Sequence, residues 1–124
     1  MEDFVTYDLA LKLKDKGFNW ICSHYYRTKC KDLFMVFPSE DWSNTEERIN
    51  APTISQVLNW LREEKKIYVA LDFYRSNGNT KIWWIYSVRY IEDDSTEYIF
   101  GSSIRKSYEQ AALAGIEYVL DNSI

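Results

Sequence analysis

Cys22 and His24 are the two residues of this sequence whose types and spacing come nearest to a catalytic pair. Side chains two positions apart on a strand point to the same face, so a thiolate and an imidazole base could lie side by side. Catalysis also needs a third group that orients the histidine, and no motif in the sequence supplies one. The alternative is a buried thiol next to a surface imidazole. A Cys/His-dependent enzyme is therefore the third of three functional hypotheses, and no residue is predicted to be catalytic.

Metal and phosphate sites lack their motifs in this sequence. A zinc site needs four Cys, His or carboxylate ligands, but the chain has one histidine and two cysteines without C-x-x-C spacing. Acidic residues cluster at 40–41, 46–47 and 92–94 without the glycine-containing EF-hand pattern. The four glycines form no phosphate-binding loop. We therefore predict no metal site and no cofactor.

Length and charge limit the class of protein. The 124 residues suit one domain over 1–124, and 46% hydrophobic with 27% charged residues is typical of a globular chain. The net charge of −4 gives no general attraction to nucleic acid or to an anionic membrane. The N-terminal segment lacks the apolar run of a signal peptide, and no stretch is long enough for a membrane span. The cytoplasm is the expected compartment.

Three segments carry helix signals. Thr53 and Gln56 form a T-x-x-Q capping box, and Ser107 and Gln110 repeat this spacing. Gly17 is suited to the C-terminal cap of a first helix. The small residues of the last helix would let it approach a sheet closely. The predicted helices span 6–17, 53–66 and 108–122.

Five segments carry strand signals, and short turn-forming links between them favour antiparallel pairing. The run LFMVF at 33–37 is typical of a strand that is buried on both faces or covered by its neighbours. The polar link 38–52 is predicted to hold a turn of helix near 44–48, with Trp42 anchoring it. The predicted strands span 20–28, 32–37, 67–75, 80–91 and 96–102. The predicted fold class is α+β, in the order α-ββ-α-βββ-α, with helices packed on a mainly antiparallel sheet.

Strand alternation sorts the residues of the predicted strands 67–75 and 80–91 into two faces. The predicted core face carries Ile67, Val69, Leu71, Phe73, Ile82, Trp84, Tyr86, Val88 and Tyr90. The opposite face carries the candidate partner-binding residues Tyr68, Tyr74, Trp83, Ile85 and Arg89. An exposed aromatic patch of this kind is commonly an interaction site. Alternatively, the first helix or the N-terminal hairpin covers this face.

Residues 53–122 support a second hypothesis, because their predicted order, α-β-β-β-α, is that of double-stranded RNA-binding domains. Such domains bind RNA largely by its shape and phosphates, which requires basic residues near the start of the last helix. Arg105 and Lys106 precede that helix. The helix itself carries acidic residues, namely Glu109, Glu117 and Asp121. The topology therefore fits nucleic acid, whereas the charge does not.

Several short segments carry a resemblance to a known group of proteins. They lie at 7–8, 13–14, 17–18, 51–57, 60–63, 107–111, 114–116 and 120. Together they resemble small proteins of gut anaerobic bacteria and of their prophage-like or mobile elements, a family without an assigned activity. The shared motifs are helix caps and helix faces. The resemblance therefore implies a phage or mobile-element setting and no mechanism.

The leading hypothesis is a non-enzymatic interaction or accessory module that binds through the aromatic strand face. Its partner would be another protein or a second copy of the chain, as in a homodimer. Nucleic acid is kept as the alternative partner, and no membrane partner is expected.

Overall fold

The described residues form three helices and two antiparallel sheets, which confirms the α+β class. The structure, a computed structural model, describes residues 3–35, 48–75, 82–92, 95–98 and 107–124. The elements are α1 (Tyr7–Asp15), β1 (His24–Arg27), β2 (Leu33–Met35), β3 (Arg48–Asn50), α2 (Ile54–Glu64), β4 (Ile67–Arg75), β5 (Ile82–Tyr90), β6 (Ser95–Tyr98) and α3 (Tyr108–Asn122). Contacts within the chain group into two compact units, Met1–Val57 and Leu58–Ile124. The single domain over 1–124 stays a prediction.

Helix α1 has the local signals expected at both ends. Thr6 Oγ1 accepts a hydrogen bond from the Leu9 amide at 3.3 Å, which caps the N-terminus. At the other end Gly17 has a φ of +90°, a conformation that favours glycine. The Gly17 amide donates to Lys14 O at 3.1 Å, and the Phe18 amide donates to Leu13 O at 3.0 Å. This pair of bonds is a Schellman motif, and it turns the chain so that Phe18 is buried.

Helix α2 begins with the predicted capping box. The Gln56 amide donates to Thr53 Oγ1 at 3.2 Å, and the Thr53 amide donates to Gln56 Oε1 at 3.0 Å. Each residue therefore satisfies one amide that a helix N-terminus leaves without a partner. The helix starts one residue later than predicted and ends two residues earlier, at Glu64.

Replacing Thr53 by valine is expected to lower the free energy of unfolding by about 1 kcal/mol. Valine keeps the shape of this buried side chain but removes the hydroxyl that accepts from the Gln56 amide. Urea unfolding measures the change, and alanine at the exposed Ser55 serves as the control. Equal stabilities of the two variants would show that the capping box contributes nothing measurable.

The N-terminal sheet has the order β2-β1-β3, with both pairs antiparallel. Its third strand, β3, lies in the segment that was predicted to be a polar link. Ile49, at the centre of β3, is buried and pairs with Tyr26. Three residues are too few for an alternating pattern, so the pairing with β1 is what makes this segment a strand. The predicted helical turn near 44–48 overlaps β3 at Arg48, and its remainder lies with Trp42 outside the described residues.

The run LFMVF was predicted to be buried on both faces or covered by its neighbours, and within the described part of the run both alternatives are wrong for Leu33 and Met35. Leu33 and Met35 are exposed, Met35 by 67%, and Phe34 is half-buried. Among the described strands, β2 pairs with β1 alone and stands at the end of the strand order. Its side chains therefore receive less cover than those of the central strand.

Aromatic rings and guanidinium groups pack together on one face of the N-terminal sheet. Tyr25 and Phe34 lie opposite each other, and their rings stack at 5.8 Å. The Arg27 guanidinium lies 4.6 Å from the Phe34 ring centroid, and that of Arg48 lies 4.5 Å from the Tyr25 centroid. Arg27 and Arg48 are also cross-strand partners. Their contacts with the rings offset part of the repulsion between them.

The C-terminal sheet is a meander in the order β4-β5-β6, and α3 packs on one face of it. Helix α3 spans 108–122 as predicted, and Ser107 Oγ accepts from the Gln110 amide at 3.1 Å. The face under α3 holds buried residues of the predicted core set, namely Ile67, Val69, Tyr86 and Val88. A β-carbon at Gly115 would lie 2.8 Å from Val69 Cγ1, so glycine permits the close approach.

Two predicted core residues at the far end of this face are exposed instead, Phe73 by 55% and Ile82 by 39%. The position of α3 explains the difference. The helix begins at Tyr108, whose ring contacts that of Trp84 at 5.4 Å. Its other end reaches Tyr90, whose hydroxyl is 2.8 Å from Ser123 Oγ. The helix therefore covers the part of β5 from Trp84 to Tyr90, begins at the level of the Phe73–Trp84 pair, and does not extend over Ile82.

Candidate functional site

The register of β4 and β5 brings the five predicted binding residues to one face of the sheet. Tyr68 lies opposite Arg89, Tyr74 lies opposite Trp83, and Asp72 lies opposite Ile85. Cross-strand partners share a face, and so do residues two apart on one strand. We call this the outer face, since α3 packs on the other one. Its positions are Tyr68, Ala70, Asp72, Tyr74, Trp83, Ile85, Ser87 and Arg89.

The outer face is partly open in the described residues. Tyr68 is 42% exposed, and Arg89 is exposed beside it. Trp83 and Ile85 are half-buried. The structure describes the backbone of Tyr74 and not its side chain. Neither Tyr68 nor Trp83 is therefore fully buried within the chain. Full burial of both side chains would have removed the predicted aromatic patch.

An open depression of about 420 Å³ lies at the Tyr68 end of the outer face. Among the described residues its wall is formed by Arg62, Tyr68, Arg89 and Ile91, which all belong to the unit 58–124. Arg62 comes from the last turn of α2, and Ile91 directly follows β5. The Ile91 amide donates to Lys66 O at 3.0 Å, which joins the end of β5 to the residue before β4. The depression is thus built from three consecutive parts of the chain.

Arg62 and Ile91 were missed as site residues. From the sequence, Arg62 belongs to the charged, solvated end of α2, and Ile91 is the last residue of a predicted strand. Nothing local distinguishes either residue from ordinary surface positions. Only the alternation that placed Tyr68 and Arg89 on one face carried a signal for this site.

The wall of the depression combines two guanidinium groups with a phenol and an aliphatic side chain. Guanidinium groups present planar arrays of donors that match carboxylate and phosphate oxygens. The Arg62 side chain donates to Asn59 Oδ1 one helical turn earlier, which restrains it. Such a wall can bind an anionic group and can also contact an apolar neighbour of that group.

Cys22 and His24 form hydrogen bonds with other groups and not with each other in the described structure. Strand β1 begins at His24, so Cys22 precedes it and strand alternation does not align the two side chains. The Cys22 thiol is 2% exposed and donates to Trp20 O at 3.4 Å. His24 Nδ1 lies 2.8 Å from Ser23 Oγ, and its ring packs on Phe4.

Burial also makes the Cys22 thiol a poor nucleophile. It raises the pKa of Cys22 to about 12, so the thiolate is scarce at neutral pH. Cys22 is buried, Cys30 is exposed, and both are free thiols. These observations favour the interpretation of Cys22 as a structural thiol.

The α-β-β-β-α order predicted for a nucleic-acid surface is present as α2-β4-β5-β6-α3. On the described surface of α3, Glu109, Glu117 and Asp121 are exposed. Arg105 and Lys106 lie outside the described residues. The described charges of this helix therefore repel phosphates.

The remaining findings concern metals, membranes and related proteins. Within the described ranges, no three His, Cys, Asp or Glu side chains converge as metal ligands would. No helix in this part of the chain has the length and apolar character to cross a bilayer. No protein-family model, curated protein or solved structure matches the chain.

Proposed function

We propose that the chain is a non-enzymatic protein-interaction module that binds its partner through the outer face of β4 and β5. The observation that carries this proposal is the register, which gathers Tyr68, Trp83, Ile85 and Arg89 on the face opposite α3. Tryptophan, tyrosine and arginine are the residue types that most often dominate binding energy at protein interfaces. Their placement on a half-open strand face supports binding to another protein.

The partner in this proposal is a second protein or a second copy of the chain. Half-buried aromatic side chains are rigid, so they lose little conformational entropy when a partner covers them. The resemblance to proteins of prophage-like and mobile elements supports an accessory role in that setting. Nucleic-acid binding stays the alternative, supported by the order of elements and opposed by the acidic surface of α3.

Replacing Trp83 by alanine is expected to weaken binding or self-association by about 2 kcal/mol, which is roughly a thirtyfold loss of affinity. The indole at this position is half-buried and would be covered completely by a partner. Sedimentation velocity over a range of concentrations measures self-association. A pull-down with wild-type and variant baits, each checked for folding by circular dichroism, compares bound partners.

Trp84 provides the matched control, because it is the next residue and points to the opposite face, where it contacts Phe73 and Tyr108. Alanine at Trp84 should leave partners and oligomeric state unchanged once folding is confirmed. An unchanged Trp83→Ala protein, or equal losses in both variants, would contradict the proposal. Salt-dependent binding of a short RNA duplex would instead favour the nucleic-acid hypothesis.

A further inference from the structure

The geometry points to a specific occupant for the depression beside Tyr68: the side-chain carboxylate of an acidic peptide segment in a partner protein. This inference rests on the proposed function, because the depression is part of the same outer face. It adds the chemistry of the partner, namely an Asp or Glu residue flanked by an apolar side chain.

The two described arginines that line the depression come from different elements. Arg89 lies on β5 directly opposite Tyr68, and Arg62 reaches the wall from the last turn of α2. Arg62 is restrained by Asn59, and Arg89 also has a partner within the chain. Two restrained guanidinium groups at one depression favour an anionic occupant.

The two other described lining residues, Tyr68 and Ile91, indicate what accompanies the anion. The Tyr68 ring and the Ile91 side chain are both exposed where they border the depression. A volume of about 420 Å³ lies at the lower end of the range of roughly 300–1,000 Å³ for ligand pockets. It therefore holds about one carboxylate side chain and an apolar neighbour. A peptide segment offers both groups at the spacing of adjacent residues.

The charge of the whole chain distinguishes an acidic peptide from nucleic acid. The net charge is −4, so a long polyanion is repelled by most of the molecule. Affinity for nucleic acid comes largely from several phosphate contacts, on the order of 6–10 in strongly salt-dependent complexes, whereas the described lining of this depression contains two arginines. A single carboxylate needs no more than these two groups. The two guanidinium groups thus complement a short acidic segment.

The direct test uses capped peptides of alternating leucine and glutamate, with the isosteric leucine–glutamine peptide as the comparison. Binding to the full chain is followed by NMR chemical-shift changes at low and moderate salt. We expect the glutamate peptide to bind at least about tenfold more tightly than the glutamine peptide, with weaker binding at higher salt. Arg62→Gln and Arg89→Gln should each reduce the affinity for the glutamate peptide by about tenfold.

Arg75→Gln is the matched control. Arg75 is exposed on the same strand as Tyr68 but lies seven residues away, opposite Ile82, on the other face of the sheet. The substitution removes the same charge and should leave peptide binding unchanged. Circular dichroism melting of all three variants shows that each is folded.

The outcomes separate this inference from the proposed function. Equal binding of the two peptides, no binding of either, or equal losses in all three arginine variants would overturn the carboxylate site. The effect of Trp83→Ala on partners would then still stand by itself. If a short RNA binds in a salt-dependent way and Arg62→Gln or Arg89→Gln abolishes this binding, the site binds a phosphate and not a carboxylate. In a further outcome, Trp83→Ala changes neither partners nor oligomeric state, and the arginine variants lose binding of the glutamate peptide. That result would confine recognition to the depression.

Discussion

Replacing Gly115 by valine is expected to lower the free energy of unfolding by about 3 kcal/mol. A β-carbon at this position would lie 2.8 Å from Val69 Cγ1 and 3.2 Å from Tyr86 Cγ, closer than such atoms normally pack. Neither contact can move cheaply, because Val69 is β-branched and the Tyr86 ring is buried. The helix must therefore shift away from the sheet. The higher helix propensity of valine offsets only several tenths of a kcal/mol.

Urea unfolding at neutral pH measures this change, and Glu117→Val is its control. Glu117 is on the same helix, two residues later, and is exposed, so valine there should cost less than about 1 kcal/mol. Alanine at Gly115 should give an intermediate loss. A Gly115→Val protein as stable as Glu117→Val would contradict the close contact between α3 and the sheet.

Raising the pH above 9 is expected to destabilise the protein through Cys22. In the unfolded chain the thiol ionises near its ordinary pKa of 9.0, whereas burial raises the pKa of Cys22 in the folded state to about 12. Below pH 9 the thiol is protonated in both states and its contribution to stability is complete. Between pH 9 and 12 only the unfolded state releases the proton, so the free energy of unfolding falls by about 1.4 kcal/mol per pH unit from this group.

The comparison of two cysteine variants isolates this effect. Cys22→Ala should show a smaller loss of stability between pH 9 and 10.5 than the wild type, whatever its stability at pH 8. Cys30→Ala should follow the wild type, because that side chain is exposed. Burial also raises the pKa of Tyr26, which acts in the same direction in all three proteins and cancels in the comparison. Identical pH profiles for the Cys22 and Cys30 variants would show that the buried thiol does not control alkaline stability.

Helix boundaries were the most predictable part of the fold, because caps are local. The hydroxyls of Thr6, Thr53 and Ser107 each bond to the amide three residues later. Such a contact needs only the first turn of the helix, so residue type and spacing are sufficient to predict it. The bounds of α3 agree at both ends.

The residues that share a face of a strand were more predictable than the residues that another element buries. Alternation along β4 and β5 placed Tyr68 and Arg89 together, as the register shows. It did not indicate that α3 begins at the level of the Phe73–Trp84 pair, or that β2 stands at the end of the described strand order. Cover depends on where another element lies, and the strand's own sequence contains no information about that.

The amino-acid sequence alone determined the α+β class, the three described helices, and which residues share the outer face of β4 and β5. Tertiary structure alone decided that β3 is a strand, that Cys22 is sealed from solvent, and that Arg62 and Ile91 join Tyr68 and Arg89 around one depression. The physical reason is the range of the interactions. Caps and alternation act within a few residues, whereas burial and sites arise when segments far apart in the chain pack together.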